Sequence, residues 1–179
     1  PFLHFKNPVE TILKTIDTSK IETIGRFEET SFSYPINRKQ SLQQLAYFNQ
    51  YLLVHFGDYQ DALHSDEVYL FHSRLSFAMN LKIISPKEIV DAVLAHYRVN
   101  SEEISISQVE GFIRQVIGWR EYMRGMYWAQ MPAYKTLNTL DNHHSIPDFF
   151  WTGETKMNCL NKTINNSLDN AYAHHIQRL

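Results

Sequence analysis

Two short polar signatures, each followed by a long apolar run, constrain this chain to a helical fold. Ser85 and Glu88 form a Ser-x-x-Glu capping box with proline at the first helical position, and Ser107 and Glu110 repeat the box. Apolar residues behind each box recur every three or four positions, which is the spacing of one helix face. The sequence therefore predicts a helix after each box, and the second helix ends before Pro132.

Further runs have the same period. We predict a short helix after an Asn7 cap, a second helix from an Asn37 cap to a stop at Gly57, and a third from about Ser73. A last helix carries a stripe made of Leu160, Ile164, Leu168 and Tyr172. Between these runs the chain is polar and irregular, and no alternation typical of strands is evident.

The chain has few residues that break helices, with six glycines and six prolines among 179 residues. This scarcity excludes turn-rich sandwiches and favours long helices. The predicted fold class is all-α, with helices that cross one another rather than a simple bundle. Residues 1–36 are predicted to be an N-terminal helix with an irregular connecting segment, and residues 37–179 a helical domain.

Charge and cysteine content limit the partners and the compartment. The net charge is −2, so a nucleic-acid partner would need a local basic patch. The lone Cys159 excludes an internal disulfide framework, which favours a reducing, cytoplasmic location. No apolar run approaches membrane-spanning length, so no membrane partner is expected. The chain starts without Met and ends inside a helical pattern, so we expect a piece of a longer protein.

One dense segment, FIRQVIGWREYMRGMYW, combines arginines with aromatic residues. Arg120 and Arg124 lie four residues apart on one helix face, close to Trp119. This arrangement suits a phosphate together with a flat ring. The alternative is a solvated arginine face beside core aromatics.

Three other places have a functional and a plain structural interpretation. His72, Ser73, Arg74, Leu75 and Ser76 would form an anion-binding helix start, or a serine cap with a surface arginine. One of the adjacent His174 and His175, about 100° apart on a helix, would line a site as a proton donor, or both would be core histidines. Cys159 by itself would be a buried small apolar residue.

The chain resembles the photolyase/cryptochrome superfamily, and most closely its iron–sulfur bacterial branch. Five segments carry the resemblance in order from Tyr59 to Leu179: YQDAL, HSRLSFAMN, FIRQVIGWREYMRGMYWAQMPAY, PDFFWTGETKMNC and YAHHIQRL. The resemblance implies part of the helical FAD-binding domain. The N-terminal antenna domain, with its chromophore, and the later half of the FAD domain are expected outside this chain.

The resemblance also implies roles for individual residues. HSRLS looks like the turn that holds the FAD phosphates, with Tyr59 nearby, and WREY looks like the helix that brings Gln115, Trp119 and Arg120 to the flavin or the substrate. YAHHIQR looks like the double-histidine segment of (6-4) photolyases, which implies that His174 is on the lesion and that His175 and Arg178 are beside the flavin. Trp151 matches an aromatic residue near the flavin, and Cys159 matches the first of four ligands of a 4Fe-4S cluster.

The implied function is light-dependent repair of damaged DNA, with a (6-4) photoproduct as the lesion and reduced FAD as the electron donor. The alternative is a cryptochrome-like blue-light photoreceptor without repair activity. A helical interaction module without a cofactor is a third interpretation, and it could describe this piece by itself. We expect the 179 residues alone to be inactive and to hold neither FAD nor an intact cluster.

Overall fold

The computed structural model describes residues 3–27 and 31–178, and most regular structure within them is helical. In chain order the elements are β1 (Asn7–Pro8), α1 (Glu10–Ser19), β2 (Ser31–Phe32), α2 (Arg38–Tyr47), a π-helical turn (Phe48–Leu52), α3 (Leu53–Tyr59), α4 (Ser76–Asn80), α5 (Pro86–Val99), α6 (Ile106–Gln130), a 3₁₀ turn (Ala133–Thr136), α7 (Phe149–Thr152), α8 (Asn158–Asn170) and α9 (His175–Arg178). The β structure in the described part of the chain is the pairing of β1 with β2. The predicted all-α class is confirmed.

The chain divides into two compact units. The first consists of Pro1–Asn7 and Ser33–Leu137, and the second of Pro8–Phe32 and Asn138–Leu179. Helices α2 to α6 therefore belong to the first unit, whereas α1 and α7 to α9 belong to the second. None of the helices in the described ranges is long and apolar enough to cross a membrane.

Three phenylalanines form the centre of the first unit. Phe48 and Phe56 lie on the π-helical turn and α3, and Phe112 comes from α6. The Phe48 ring is 4.5 Å from the Phe112 ring, and the Phe56 ring meets Phe112 edge-on at 5.2 Å. Edge-on and tilted contacts of this kind are the favourable geometry for aromatic pairs. They fix α3, which carries Tyr59, against α6, which carries Gln115, Trp119 and Arg120.

Gly57 does not end its helix, contrary to prediction, because α3 continues to Tyr59. Its lack of a side chain serves the contact with α6. A Cβ atom on Gly57 would lie 2.8 Å from Gln108 Oε1 and 3.1 Å from Gln108 Cα. The Gly57 N–H donates to Gln108 Oε1, and Gln108 Nε2 donates to Asp58 Oδ2 at 2.9 Å. The glycine is thus needed for close approach of two helices rather than for a turn.

The two predicted capping boxes have different outcomes. Ser85 Oγ accepts from the Glu88 N–H at 3.2 Å and Glu88 accepts from the Ser85 N–H at 2.9 Å, so the first box is confirmed. The second is wrong, because α6 begins at Ile106 and Ser107 lies inside the helix. Ser105 precedes the helix instead.

Other helix starts are corrected as well. Asn37 caps α2 as predicted, accepting from the Gln40 N–H at 2.9 Å. The first helix begins at Glu10 rather than after Asn7, since Pro8 belongs to β1. The helix predicted from about Ser73 begins three residues later, because Arg74 has a left-handed backbone with φ 55° that a right-handed helix cannot include.

The last predicted helix is broken in two. Helix α8 ends at Asn170, and Ala171 follows in the left-handed region with φ 49°. Tyr172 therefore lies outside the helix, and His174 precedes the separate helix α9. The expectation that His174 and His175 project about 100° apart from one helix is wrong for this reason.

Candidate functional site

The residues predicted for the site are divided between the two units. The first unit holds Tyr59, His72, Ser73, Arg74, Leu75, Ser76, Gln115, Trp119 and Arg120, and the second holds Trp151, Cys159, His174, His175 and Arg178. Leu179, the last residue of the YAHHIQRL segment, lies outside the described residues.

Arg74 is buried between two tyrosines. Its guanidinium carbon lies 4.5 Å from the centre of the Tyr34 ring and 4.1 Å from that of Tyr69, and Nη1 is 3.4 Å from the Leu3 carbonyl. Only 5% of Arg74 is exposed, so the surface-arginine interpretation is wrong. Cation–π contacts of a desolvated guanidinium are worth about 2 kcal/mol. Arg74 therefore stabilises the shape of the turn that contains it.

The rest of this turn presents hydroxyl and backbone groups. The Ser73 carbonyl accepts from Gln44 Nε2 at 2.9 Å, and Ser73 Oγ is 3.4 Å from the Leu75 N–H. His72 is buried and the Leu75 side chain is fully enclosed, so Leu75 has only backbone to offer a ligand. Ser76, the first residue of α4, is exposed. Hydroxyls and backbone N–H groups are suitable donors to an anion.

An aromatic cleft of about 520 Å³ opens in the first unit, and its lining residues are Tyr47, Tyr51, Leu52, His55, Leu70 and Phe71. The Tyr59 ring adjoins this cleft, because it lies 4.9 Å from the Phe71 ring. Flat side chains at this spacing suit a flat apolar ligand. Tyr47, Tyr51 and His55 follow one another at intervals of four residues, so helical spacing could have identified them as neighbours, although the sequence analysis did not single them out.

Side chains of α6 form a connected polar group. Trp119 Nε1 donates to Gln115 Oε1 at 2.7 Å, and Gln115 Nε2 lies 3.5 Å from Gln60 Oε1. Arg120 reaches across to α4, where Nη2 is 3.4 Å from the sulfur of Met79. The structure thus brings Arg120 and the helix that follows the 72–76 turn into direct contact.

Arg120 and Arg124 have different surroundings. Arg120 is half-buried, whereas the side chains of Arg124 and Glu121 are more than 60% exposed and pair loosely at 3.6 Å. The solvated-face interpretation therefore holds for Arg124 and not for Arg120. An exposed pair of this kind contributes about 0–1 kcal/mol.

In the second unit, asparagines of α8 hold the neighbouring segments. Asn161 Nδ2 donates to the Gly153 carbonyl at 2.7 Å, which ties the end of α7 to α8. Trp151 on α7 is 56% exposed. It borders a shallow cleft of about 280 Å³ whose other lining residues are Thr23, Ile24, Gly25, Arg26, Thr152 and Leu168. Arg26 is anchored on α8 by Asp169 at 2.5 Å.

His174 is the most enclosed of the predicted residues in this unit, with 5% exposed. Its ring lies 4.1 Å from the His175 ring. His174 Nδ1 is 3.3 Å from the Ile176 N–H, and the His174 N–H donates to Gln177 Oε1 at 3.0 Å. A backbone N–H can only donate, so Nδ1 is the acceptor and the hydrogen of the neutral ring is on Nε2.

Cys159 is exposed on α8, so the buried-residue interpretation is wrong. The described residues contain no group of three or more His, Cys, Asp or Glu that could hold a metal ion. With one cysteine, the chain cannot supply four thiolates for a cluster by itself. Arg178 is exposed on α9.

Comparisons with known proteins give two relatives, while no protein-family model matches the sequence. The chain is 40% identical over 168 residues to a protein from Agrobacterium fabrum named (6-4) photolyase; the match covers 94% of this chain and 32% of that protein. It is 36% identical over 98 residues to uncharacterized protein R853 of Acanthamoeba polyphaga mimivirus, covering 54% of this chain and 73% of that protein. The chain thus spans about a third of the length of the first relative.

Proposed function

We propose a function on the premise that this chain belongs to the photolyase family. The protein that carries the chain is a light-dependent DNA-repair flavoprotein, and its substrate is DNA with a (6-4) photoproduct. The observation that carries the proposal is the enclosed His174 with its ring against His175, in a chain 40% identical to a protein named (6-4) photolyase.

FAD is the cofactor that the family implies, and the residues of the first unit fit parts of it. We propose that the turn with Ser73 and Ser76 binds the phosphates, through its hydroxyls and the backbone at His72 and Leu75, and that Arg74 maintains this turn. The remaining contacts are proposed for Tyr59, Gln115, Trp119, Arg120, Trp151, His175 and Arg178. When bound, reduced FAD that has absorbed light supplies an electron to the lesion.

His174 would act on the lesion through the hydrogen on Nε2. A lesion that accepts an electron gains negative charge, and a positioned N–H group stabilises such charge far better in an enclosed site than in water. Nδ1 is engaged with the Ile176 N–H, so it does not compete for this role. In place of the proton donor expected from the sequence, we propose a hydrogen-bond donor, the Nε2–H group of a neutral ring.

The 4Fe-4S cluster is proposed for the protein that carries this chain, with Cys159 as one thiolate ligand. The exposure of Cys159 leaves its sulfur accessible to iron. The chain's donor set does not fit a whole cluster, because the other three ligands must come from elsewhere, and no step of repair is derived through it. An antenna chromophore is proposed on the same resemblance, and a cytoplasmic location on the lone cysteine.

The test replaces His174 in two ways. Asparagine can place its carbonyl oxygen near the position of Nδ1, where it accepts from the Ile176 N–H and caps the helix, but it has no atom at the position of Nε2. Glutamine reaches the Nε2 position and loses the cap. The matched control is His143→Asn, on an exposed histidine that pairs with Asp141 at 2.7 Å.

Repair of (6-4) lesions and FAD absorbance would be measured in the FAD-loaded, full-length protein. We expect His174→Asn to lower repair about 10²–10³-fold, the usual loss of one such donor, with FAD absorbance unchanged. His174→Gln should retain more repair, and His143→Asn should behave as wild type. Repair by His174→Asn within a few-fold of wild type would refute the role of Nε2. A wild-type protein that binds FAD and repairs nothing would favour the photoreceptor alternative.

A further inference from the structure

The His174 ring and the Gln177 side chain each accept a hydrogen bond from a backbone N–H at the start of α9. The His174 side chain accepts from the Ile176 N–H at 3.3 Å, and the Gln177 side chain accepts from the His174 N–H at 3.0 Å. This arrangement resembles a capping box, in which Ser or Thr usually supplies the first acceptor and Glu or Gln three residues later the second, except that the first acceptor here takes the N–H of Ile176 rather than that of Gln177. Here an imidazole takes the place of the hydroxyl.

Asn166 extends this box to helix α8. Its Nδ2 donates to Gln177 Oε1 at 3.2 Å and to the Tyr172 carbonyl at 3.1 Å, and its Oδ1 accepts from Asn170 Nδ2 at 3.1 Å. Gln177 Oε1 thus receives two hydrogens, and both hydrogens of the Asn166 amide are used. The segment that carries His174 is thereby tied to a 13-residue helix.

Only one orientation of these amides satisfies the network. The His174 N–H can only donate, so Gln177 must present its oxygen there. The Tyr172 carbonyl can only accept, so Asn166 must present its NH₂ group. Backbone groups at both ends therefore fix the direction of every hydrogen bond between them, and connected hydrogen bonds of this kind reinforce one another.

We propose that Gln177 and Asn166 are positioning residues that hold His174 with its ring hydrogen on Nε2. The inference rests on the function proposed above for His174, and it adds which side chains keep the ring hydrogen on Nε2. Gln177 fixes the His174 main chain through its N–H, and that placement keeps Nδ1 against the Ile176 N–H. Without the Gln177 acceptor, the ring can turn and either nitrogen can carry the hydrogen.

The test compares Gln177→Glu, which keeps an acceptor, with Gln177→Leu, which has similar size and none. Gln43→Leu, on the exposed side of α2, is the matched control. NMR of the chain with ¹⁵N-labelled histidine reports which ring nitrogen carries hydrogen, and the signals lost in His174→Asn identify the His174 ring. Repair rate and DNA affinity would be measured separately in the FAD-loaded, full-length protein.

We expect a single Nε2–H form in wild type, Gln177→Glu and Gln43→Leu, and a mixture of the two forms in Gln177→Leu. Repair by Gln177→Leu should fall about 10- to 100-fold at unchanged DNA affinity, as small misplacements of a reacting group do. An unchanged Nε2–H form in Gln177→Leu would overturn the proposal. If Gln177→Leu does not fold, Asn166→Asp takes its place, because it removes the hydrogen bonds that Asn166 donates to Gln177 and to the Tyr172 carbonyl. An unchanged Nε2–H form in that variant would likewise overturn the proposal. A wild type without repair would refute the proposed function, while the NMR result would still decide the positioning.

Discussion

Replacing Gly57 with alanine sets two opposing effects against each other. In a helix interior alanine is favoured over glycine by about 0.5–1 kcal/mol, so helix propensity alone predicts stabilisation. The new Cβ, however, would lie 2.8 Å from Gln108 Oε1 and 3.1 Å from Gln108 Cα, closer than carbon and oxygen atoms approach without repulsion. Either the Gln108 side chain or the backbone of α6 must move.

Both movements are costly. Gln108 is 6% exposed, and displacing its amide breaks its bonds to the Gly57 N–H and to Asp58, at about 1–3 kcal/mol for a buried polar group left unsatisfied. Displacing α6 strains a packed core, which costs about 1–3 kcal/mol. Subtracting the gain in propensity from either cost leaves a net destabilisation of up to about 2.5 kcal/mol.

Urea unfolding of the chain followed by circular dichroism measures the result, and Gly118→Ala is the control. Position 118 lies on α6, and apart from its chain neighbours and the adjacent helix backbone no heavy atom lies within 4 Å of its Cβ position, so that substitution should stabilise by about 0.5–1 kcal/mol. With a slope of about 2 kcal/mol per molar urea, Gly57→Ala should lower the midpoint by up to about 1 M. A midpoint that rises in both variants would refute the argument that Gly57 is required by the contact with α6.

Two further predictions concern charge and metal binding. The hydrogen bond from Arg38 lowers the pKa of Glu88 from 4.5 to about 2. The ionised Glu88 carboxylate therefore contributes fully to the stability of the folded chain above pH 4.5, and this contribution disappears as the pH falls towards 2. At pH 6, Glu88→Gln should therefore have a lower urea midpoint than wild type, whereas below pH 2 the two midpoints should be equal. Equal midpoints at pH 6 would contradict this. In the full-length protein, Cys159→Ser should lower the content of iron and acid-labile sulfide, and unchanged content would remove Cys159 from the ligands.

The start of α6 illustrates how a local signature was misread. The sequence analysis predicts a box at Ser107 and Glu110, while Ser105 and Gln108 have the same spacing two residues earlier. In the structure Ser105 precedes the helix, and the buried Ile104 and Val109 occupy the two positions that a hydrophobic staple joins. Gln108 does not complete a box with Ser105, because its amide is used by α3. The contact of Gln108 with Gly57, 51 residues away, thus takes the place of the second bond of a box at Ser105.

The Ser85 box, by contrast, could be predicted because all its partners are local. The side chains of Ser85 and Glu88 each accept a hydrogen bond from the other residue's backbone N–H. Arg38 pairs with the other carboxylate oxygen of Glu88, so it does not compete with the box. The Asn37 cap was predictable for the same reason, since its partner is three residues away. Local chemistry therefore predicted those helix starts at which no distant group competes for the capping atoms.

The candidate site depends mostly on contacts that no local pattern reveals. The sequence analysis places Arg74 in an anion site or on the surface. In the folded chain its guanidinium lies between Tyr34, which is 40 residues earlier, and Tyr69, which is five residues earlier. The break after α8 could not be predicted from the helical period either, since that period continues to Tyr172 while the left-handed Ala171 ends the helix.

The capping role of His174 was nevertheless within reach of the sequence. The residues His174-His175-Ile176-Gln177 have the spacing of a capping box if imidazole Nδ1 is accepted in place of a hydroxyl. Such a box stabilises a helix only when the ring keeps Nδ1 without a hydrogen, so the helix start and the hydrogen on Nε2 favour each other. In a histidine that begins a helix in this way, the fold determines that the ring hydrogen is on Nε2. A site that uses the Nε2–H group requires this property.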